Sequence, residues 1–336
     1  MESNSTPKNC RKADTAVCRY GYQQLSRHIS SFMGEINGAK KSTDIEPIHQ
    51  LRVFSRRIST TLRMFEPCFP GKIAKTWRKQ IRKTARSFGE VRDLDVQIEF
   101  VQNYGRGLVD ENFLPGIIRL ELRLAQRREK LQKKTIRRLE DLEKSGVLTE
   151  IQSMLSRTKS GQNDEPAYPA KLYRLALLAI ERELNNLLKY DEIVLQPEKV
   201  EELHKMRIAA KGLRYTIEIF ASIYPNKLKS TFQAVRLTQE LLGSIHDLDV
   251  WKQFVPKFIE IETRRTEAYY GNVTPVNLLL PGLQQFAVDV SEKRDQTYAQ
   301  FTQTWLKWKE DKLWGDLLDK IHLPLASGNS TIDLKV

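Results

Sequence analysis

Histidine and arginine recur at helical spacing in two matching stretches of the chain. Positions i, i+3 and i+7 are His49, Arg52 and Arg56 in the first stretch, and His204, Arg207 and Lys211 in the second. At 100° per residue these positions lie within about 60° of one another on a helix. Arg has a planar fork that can bond two phosphate oxygens at once. The spacing therefore predicts two cationic helix faces able to hold an anion.

Further basic residues extend this chemistry at related positions. The remaining candidates are Arg19, Arg63, Arg78, Arg82 and Arg86 in the first half, and Arg174, Arg214 and Arg236 in the second. The alternative is a solvated surface whose ion pairs each contribute little. A basic face that occurs twice on the same helix favours the binding interpretation.

The two histidines allow three interpretations. They could contact phosphate beside the arginines, ligate a metal, or bond a carboxylate of their own bundle. One histidine per half falls short of a metal-ligand set, so no metal or cofactor is expected. A histidine that touches an anion should favour its charged form, which predicts tighter binding below about pH 6.5.

Pairs of aspartates raise the question of catalysis. Asp93 and Asp95 recur as Asp247 and Asp249, and His246-Asp247 resembles a metal-binding phosphohydrolase pair. Such a site needs further His and Asp ligands, whereas Asp can also cap helices and hold Arg in place. No Ser/His/Asp order, phosphate-cradling glycine loop or cysteine nucleophile stands out. We therefore expect a protein without enzymatic activity, and a metal-dependent phosphohydrolase is the third-ranked function.

The elements that position these residues are predicted to be helices throughout. Opposite the first cationic face lie Ile48, Leu51, Ile58, Leu62 and Phe65, which form an apolar face for a core. Gly89 is expected to end or kink the following helix. The charged run from about Leu114 to Lys144 is interpreted as a long helix with a solvated face. The fold class is all-α.

The second half of the sequence repeats the first. His204 follows His49 by 155 residues, and Asp247-Leu-Asp249-Val follows Asp93-Leu-Asp95-Val by 154. This match predicts an internal duplication that forms two bundles related by a pseudo-twofold axis. The predicted boundaries are a disordered N-terminus 1–12, bundles 13–158 and 169–320, a linker 159–168 and a tail 321–336.

Composition and charge indicate the class of binding partner and the cellular location. The chain has 336 residues and a formal charge of +13, which favours an anionic partner. No apolar stretch could cross a bilayer, and residues 1–13 lack the apolar segment of a signal peptide. Cys10, Cys18 and Cys68 show no paired spacing and are interpreted as free thiols. These features predict a cytoplasmic protein without a membrane partner.

Two linked motifs, each present twice, resemble those of the CHAD family, the conserved histidine α-helical domain. The first is His49-x-x-Arg52-x-x-x-Arg56-Arg57, followed by Gly89-x-x-Arg92-Asp93-Leu-Asp95. In the second copy Lys211-Gly212 replaces the double Arg, and His246 replaces the Arg before Asp247. The resemblance spans about residues 13–310 and implies two four-helix bundles.

The resemblance also implies a function. The CHAD family is associated with binding inorganic polyphosphate on a basic surface formed by both bundles, and with polyphosphate granules. Some relatives are fused to a triphosphate-tunnel hydrolase, whose Glu-x-Glu-x-Lys is matched here only weakly by Glu260-Ile-Glu262-Thr-Arg264. We expect non-catalytic polyphosphate binding in a groove shared by both bundles. Single-stranded RNA or another polyanion is the alternative ligand, although the repeated aromatics fall on the apolar side.

Overall fold

The chain is all-α, as predicted. A computed structural model describes residues 14–41, 45–158 and 168–326, and these residues contain ten α-helices and no strand. The helices are α1 (Thr15–Lys41), α2 (Glu46–Met64), α3 (Gly71–Arg106), α4 (Leu114–Lys144), α5 (Val147–Thr158), α6 (Ala170–Leu188), α7 (Val200–Phe220), α8 (Lys229–Tyr270), α9 (Leu280–Glu310) and α10 (Leu313–Ala326). The predicted disordered N-terminus 1–12 and nearly all of the linker lie outside the described residues.

The helices divide into two compact units, each built from two segments of the chain. Unit 1 comprises Met1–Asp95 and Arg128–Leu175, and unit 2 comprises Val96–Arg127 and Ala176–Val336. The boundaries fall inside α3, α4 and α6. The bundle limits predicted from the sequence repeat were drawn by sequence similarity and stay a prediction. A groove shared by both bundles also stays a prediction.

Unit 1 buries the apolar faces of its helices. The predicted apolar face of α2 is confirmed, since Leu51 and Ile58 are fully buried and Phe65 is 1% exposed. Leu25 and Phe32 of α1 are also fully buried, two helical turns apart on the same face. Apolar residues at 3.6-residue periodicity therefore place the opposite, cationic side of α2 away from the core.

Unit 2 has a corresponding core and an additional buried charge cluster. Met206 and Leu213 of α7 are fully buried, and Trp251 of α8 contacts Phe286 of α9 at a ring-centroid distance of 5.2 Å. The side chain of Glu262 is 1% exposed and accepts hydrogen bonds from three arginines. They are Arg119, Arg123 and Arg265.

Glu262 is a structural carboxylate. Burial acts to raise the pKa of Glu262, but hydrogen bonds from Arg123 and Arg265 outweigh burial and hold that pKa below its ordinary value. Glu260 and Arg264, two residues before and after it, pair with each other at 3.0 Å on the exposed surface. The charged residues of the weak match to Glu-x-Glu-x-Lys are thus held in ion pairs within unit 2.

The expectation that a helix ends at Gly89 is wrong, while a kink there stays a prediction. α3 runs without interruption from Gly71 to Arg106, and α8 likewise continues through Gly243. A glycine inside a helix costs only about 1 kcal/mol relative to Ala. Phe88 and Val91, which flank Gly89, are fully buried, and their packing readily offsets that cost.

The interpretation of all three cysteines as free thiols is also wrong. Cys18 of α1 is joined by a disulfide to Cys68, which lies just after α2, across 50 residues of sequence. The backbone carbonyl of Cys68 also accepts a hydrogen bond of 2.6 Å from the Tyr22 hydroxyl. Both contacts fasten the end of α2 to α1. Cys10 lies outside the described residues.

The C-terminal region contains more helix than the sequence suggested. α9 begins at Leu280, so Pro281 occupies its first turn, where proline is tolerated. α10 follows and extends to Ala326, while residues 327–336 of the predicted tail lie outside the described residues. In the described part of the chain, no helix is long and apolar enough to cross a membrane.

Candidate anion-binding site

The cationic face of α2 contacts α3 through Arg52. The Arg52 guanidinium donates a hydrogen bond of 3.0 Å to the Asp93 carboxylate. Its Nε lies 4.0 Å from the position that a Cβ on Gly89 would occupy. Gly89 and Asp93 are one turn apart on α3, so the arginine crosses the helix over the glycine and reaches the aspartate. The Gly-x-x-x-Asp spacing therefore serves to position Arg52.

His49 lies in a strongly cationic environment. Its buried Nδ1 has no hydrogen-bond partner among the described residues. The pKa of His49 is lowered, first by burial and next by the charge of Arg92. Arg52 and Arg56 act in the same direction, and Glu46 opposes them. His49 is therefore neutral at pH 7 when no anion is bound.

An arginine stripe continues this surface along α3. Arg78, Arg82 and Arg86 precede Gly89 by 11, 7 and 3 residues, which places them on the side of α3 that carries Gly89 and Asp93. Arg82 and Arg86 are exposed, and Arg78 is half-buried. The structure thus places these predicted residues on the face of α3 that Arg52 contacts.

Unit 2 repeats the arrangement around Arg207. The Arg207 guanidinium lies 4.0 Å from the Asp247 carboxylate. Its Nε lies 3.6 Å from the position of a Cβ on Gly243. This contact and its counterpart in unit 1 join residues at matched positions of the sequence, which supports an internal duplication.

His204 differs from His49 in its partner. Nδ1 of His204 lies 3.1 Å from Nδ1 of His246, and the ring centroids are 4.3 Å apart. One ring must donate and the other accept, so the contact disfavours two protonated rings. The pKa of His204 is lowered by burial first, and then by Arg207 and Lys211. Within the described part of the chain, neither His49 nor His204 bonds a carboxylate, which was the structural alternative for both.

The second aspartate of each motif is buried in an ion pair. Asp95 accepts a hydrogen bond of 2.8 Å from Arg128, and Asp249 accepts one of 3.1 Å from Arg294. Burial raises the pKa of the Asp249 carboxyl against the opposing effect of Arg294. In the described ranges, no three His, Cys, Asp or Glu residues are grouped so as to hold a metal ion.

The other predicted residues are more dispersed. Arg19, Arg63 and Arg174 are exposed, and Arg174 belongs to unit 1 rather than to the same unit as His204. Arg236 pairs with Glu240 on its own helix at 2.7 Å. Arg214 packs on the Tyr215 ring at 4.9 Å and lies 3.6 Å from Glu218. Arg214 and Arg236 are thus engaged by neighbours in unit 2.

Two residues of the site were not among the sequence candidates. Arg92 is the charge with the largest effect on the pKa of His49, and His246 contacts His204. Both occupy the position before the first aspartate of the motif. The sequence shows that Arg92 and His246 occupy matching positions. Their proximity to His49 and His204 depends on how α3 and α8 pack and could not be predicted from the sequence.

Comparison with protein families matches residues 23–256 to the CHAD domain model. The match covers more than half of the chain and contains both histidine-bearing helices. None of the curated proteins compared with the chain matches it.

Two solved structures share the fold. The first is the crystal structure of the CHAD domain from the plant Ricinus communis, with a TM-score of 0.61 and 18% identity, covering 89% of this chain and 97% of that chain. The second is PptA from Streptomyces chartreusis, with a TM-score of 0.58 and 16% identity, covering 86% of this chain and 99% of that chain. At these identities the likeness concerns the fold.

Proposed function

The chain belongs to the CHAD domain family, and from this premise we propose that it binds inorganic polyphosphate through the cationic faces of α2 and α7. A polyphosphate chain offers closely spaced negative charges and no bases. Arginines on a rigid helix suit such a ligand, because each guanidinium can bond two phosphate oxygens. We also propose polyphosphate granules as the cellular setting.

One observation supports the proposal most strongly. In each unit an arginine crosses a glycine to reach an aspartate, beside a histidine whose pKa is lowered first by burial and then by neighbouring cations. The contribution of those cations to the lowered pKa reflects positive charge close to each histidine. An anion bound there would offset this charge. The same arrangement in both units supports a binding role rather than two unrelated surface patches.

The proposal contains no catalytic step. Asp93 and Asp247 lie beside Arg52 and Arg207, and Asp95 and Asp249 are bonded to Arg128 and Arg294. Carboxylates held in this way orient arginines, and they have structural roles that do not require catalysis. His246 contacts His204, which gives the His-Asp pair a packing role as well.

The aromatic residues favour polyphosphate over RNA. Single-stranded nucleic acid is bound by cations interleaved with exposed rings on which bases stack. Phe65 and Phe220 are buried in their cores, and Phe100 stacks on Trp251 at 5.9 Å. These repeated aromatics pack the units and offer no platform for bases.

A competition titration tests the proposal. Long-chain polyphosphate would displace fluorescent single-stranded RNA from the full chain at matched phosphate concentration and ionic strength, with released phosphate assayed in the same sample. We expect polyphosphate to displace RNA at a concentration at least tenfold below that of unlabelled RNA, without phosphate release. Equal displacement would indicate a generic polyanion binder, and released phosphate would reopen the Asp-Leu-Asp motifs as an active site.

A further inference from the structure

A second cationic surface lies between α3 and α4 in unit 1. A pocket of about 380 Å³ is lined by six basic side chains and one carboxylate, that of Asp141. The basic residues are Lys83, Lys130, Lys133, Lys134, Arg137 and Arg138. We propose that this α3–α4 pocket binds a compact anion that carries three or more phosphate groups. It is a separate site from the cationic face of α2.

The cations of the α3–α4 pocket are poorly neutralised by the protein. Among the described residues, only Lys133 has a carboxylate within ion-pair distance, Glu129 at 2.9 Å on the exposed surface. The α4 residues of the pocket are spaced i, i+3, i+4, i+7 and i+8, so they share one face. Like charges at i and i+4 repel each other and destabilise a helix. A bound polyanion would relieve that repulsion, and this relief favours anion binding in the pocket.

Lys83 lies at the border of the arginine stripe of α3. Around the helix axis it is about 100° from Arg82 and about 60° from Arg86, so the pocket adjoins the stripe at Arg86. Gly89 and Asp93, which position Arg52, lie about 120° and about 80° from Lys83. Substitution of Arg52 therefore leaves the lining of the pocket unchanged.

The lining defines the class of ligand. Every lining side chain is charged, so phosphate groups find partners whereas a nucleobase finds no ring to stack on. The volume lies near the lower end of small-molecule sites, which span about 300–1,000 Å³. Arg137 and Arg138 can each bond phosphate with two N–H groups. Short inorganic polyphosphates and polyphosphorylated small organic molecules share this chemistry.

Calorimetric titrations of the full chain test the inference. The probes are tripolyphosphate, ATP, inositol hexakisphosphate and sulfate at fixed ionic strength. We expect measurable binding of tripolyphosphate, inositol hexakisphosphate or both, no measurable binding of sulfate, and no tighter binding of ATP than of tripolyphosphate. The relative affinities of tripolyphosphate and inositol hexakisphosphate distinguish an inorganic from an organic ligand. Failure of both to bind, or ATP binding tenfold tighter than tripolyphosphate, would overturn the inference.

Matched triple variants locate the site. The triple Lys130→Gln, Lys134→Gln, Arg138→Gln should lower affinity for the bound probe at least tenfold. The control triple Lys41→Gln, Lys72→Gln, Arg157→Gln removes the same charge from exposed positions of unit 1. This control should lower the affinity for the probe less than threefold.

Two further variants keep the test decisive. The pair Lys83→Gln, Lys133→Gln alters other positions of the pocket and should also lower affinity at least tenfold, and helical circular dichroism checks its fold. Arg52→Gln, Arg207→Gln should retain affinity for the short probe within threefold. Equal losses in the pocket and control triples would mean that only net charge matters and would refute a pocket.

Discussion

At the scale of single residues, two arginines are the central feature of the protein. Helical periodicity alone predicts that His49, Arg52 and Arg56 share a face. It does not predict that Gly89 and Asp93 hold Arg52, because those residues lie on another helix. The sequence thus identified the cations, whereas their orientation depends on tertiary packing.

Charge reversal at these arginines should weaken polyphosphate binding. Arg52→Glu should cost about ten- to hundredfold in affinity, since a charged hydrogen bond is worth about 1.5–3 kcal/mol. Arg207→Glu should cost less, because the matching arginine of its unit, Arg236, is partly neutralised by Glu240, whereas Arg82 and Arg86 have no carboxylate within ion-pair distance among the described residues. Binding titrations measure the loss, with Arg157→Glu as an exposed control in unit 1. Loss of the helical signal in both variants would show that these arginines are structural.

Polyphosphate affinity should increase as the pH falls below about 6.5. His49 and His204 have lowered pKa values in the free protein, so both are neutral at pH 7. A bound polyanion favours the charged form and raises these pKa values, so binding takes up protons. Affinity should therefore be flat from pH 8 to 7 and rise severalfold from pH 6.5 to 5. This is the window expected from the sequence, and burial, followed by the cations around each histidine, keeps both rings neutral above it.

The variant His49→Gln isolates the contribution of this histidine. As the pH falls from 6.5 to 5, the polyphosphate affinity of the variant should rise less than that of the wild type, since one titrating group is removed. An unchanged pH profile in this variant would show that His49 does not contribute.

At the scale of elements, local patterns predicted the helices better than their ends or surroundings. The apolar face of α2 was predicted correctly, because its period reflects burial directly. The end of a helix at Gly89 was not, since buried neighbours outweigh a local preference. The charged face of α4 was interpreted as solvated, and nothing in its own sequence reveals that Lys83 of α3 completes a pocket with it.

The half-buried histidine His28 should make unit 1 sensitive to acid. Burial, followed by the charges of Arg57 and Arg27, lowers the pKa of His28 on α1 to about 4. The unfolded chain binds this proton near pH 6.5 and the folded chain near pH 4, so stability is lost as the pH falls between these values. The expected loss by pH 5 is about 2 kcal/mol. Chemical unfolding at pH 7 and 5 measures it, and His28→Gln should reduce the difference.

The link between α1 and the end of α2 should stabilise unit 1. A disulfide across 50 residues of sequence is expected to contribute about 2–4 kcal/mol by restricting the unfolded chain. Reductant should therefore lower the thermal midpoint of the wild type but leave that of Cys18→Ser, Cys68→Ser unchanged. If reductant has no effect on the oxidised wild-type chain, the link is energetically unimportant. Structural disulfides persist mainly in oxidising compartments, which weighs against the cytoplasmic location expected from the sequence.

At the scale of the whole molecule, the excess of 55 basic over 42 acidic residues produces a long-range attraction for polyanions. This attraction should make polyphosphate binding strongly dependent on salt. By analogy with nucleic acids, about five engaged cations imply an affinity loss of roughly a hundredfold between 50 and 200 mM salt. Titrations at four salt concentrations measure the slope. A slope near zero would contradict binding through the cationic faces.

The arginine stripe can be tested through the same slope. Arg82→Gln, Arg86→Gln should reduce its magnitude by about one to two units, since each lost phosphate contact removes about one. Removal of two exposed charges elsewhere in unit 1, Lys41→Gln and Arg157→Gln, should leave the slope nearly unchanged. Equal effects of the two pairs would mean that the stripe makes no direct contact.

The division of each unit into two segments has a consequence during synthesis of the chain. Residues 96–127 emerge from the ribosome between the two segments of unit 1, yet they pack with a part of the chain that has not been made. Arg123 donates a hydrogen bond to Glu262, which is added 139 residues later. At ordinary translation rates this separation corresponds to roughly 7–28 s. Once residue 175 has been made, a chaperone that binds nascent chains would meet unit 1 with residues 96–127 attached as a helical segment that has not yet packed against the rest of unit 2. In a nascent chain stalled before residue 262, residues 96–127 should therefore be cleaved by protease more readily than the residues of unit 1.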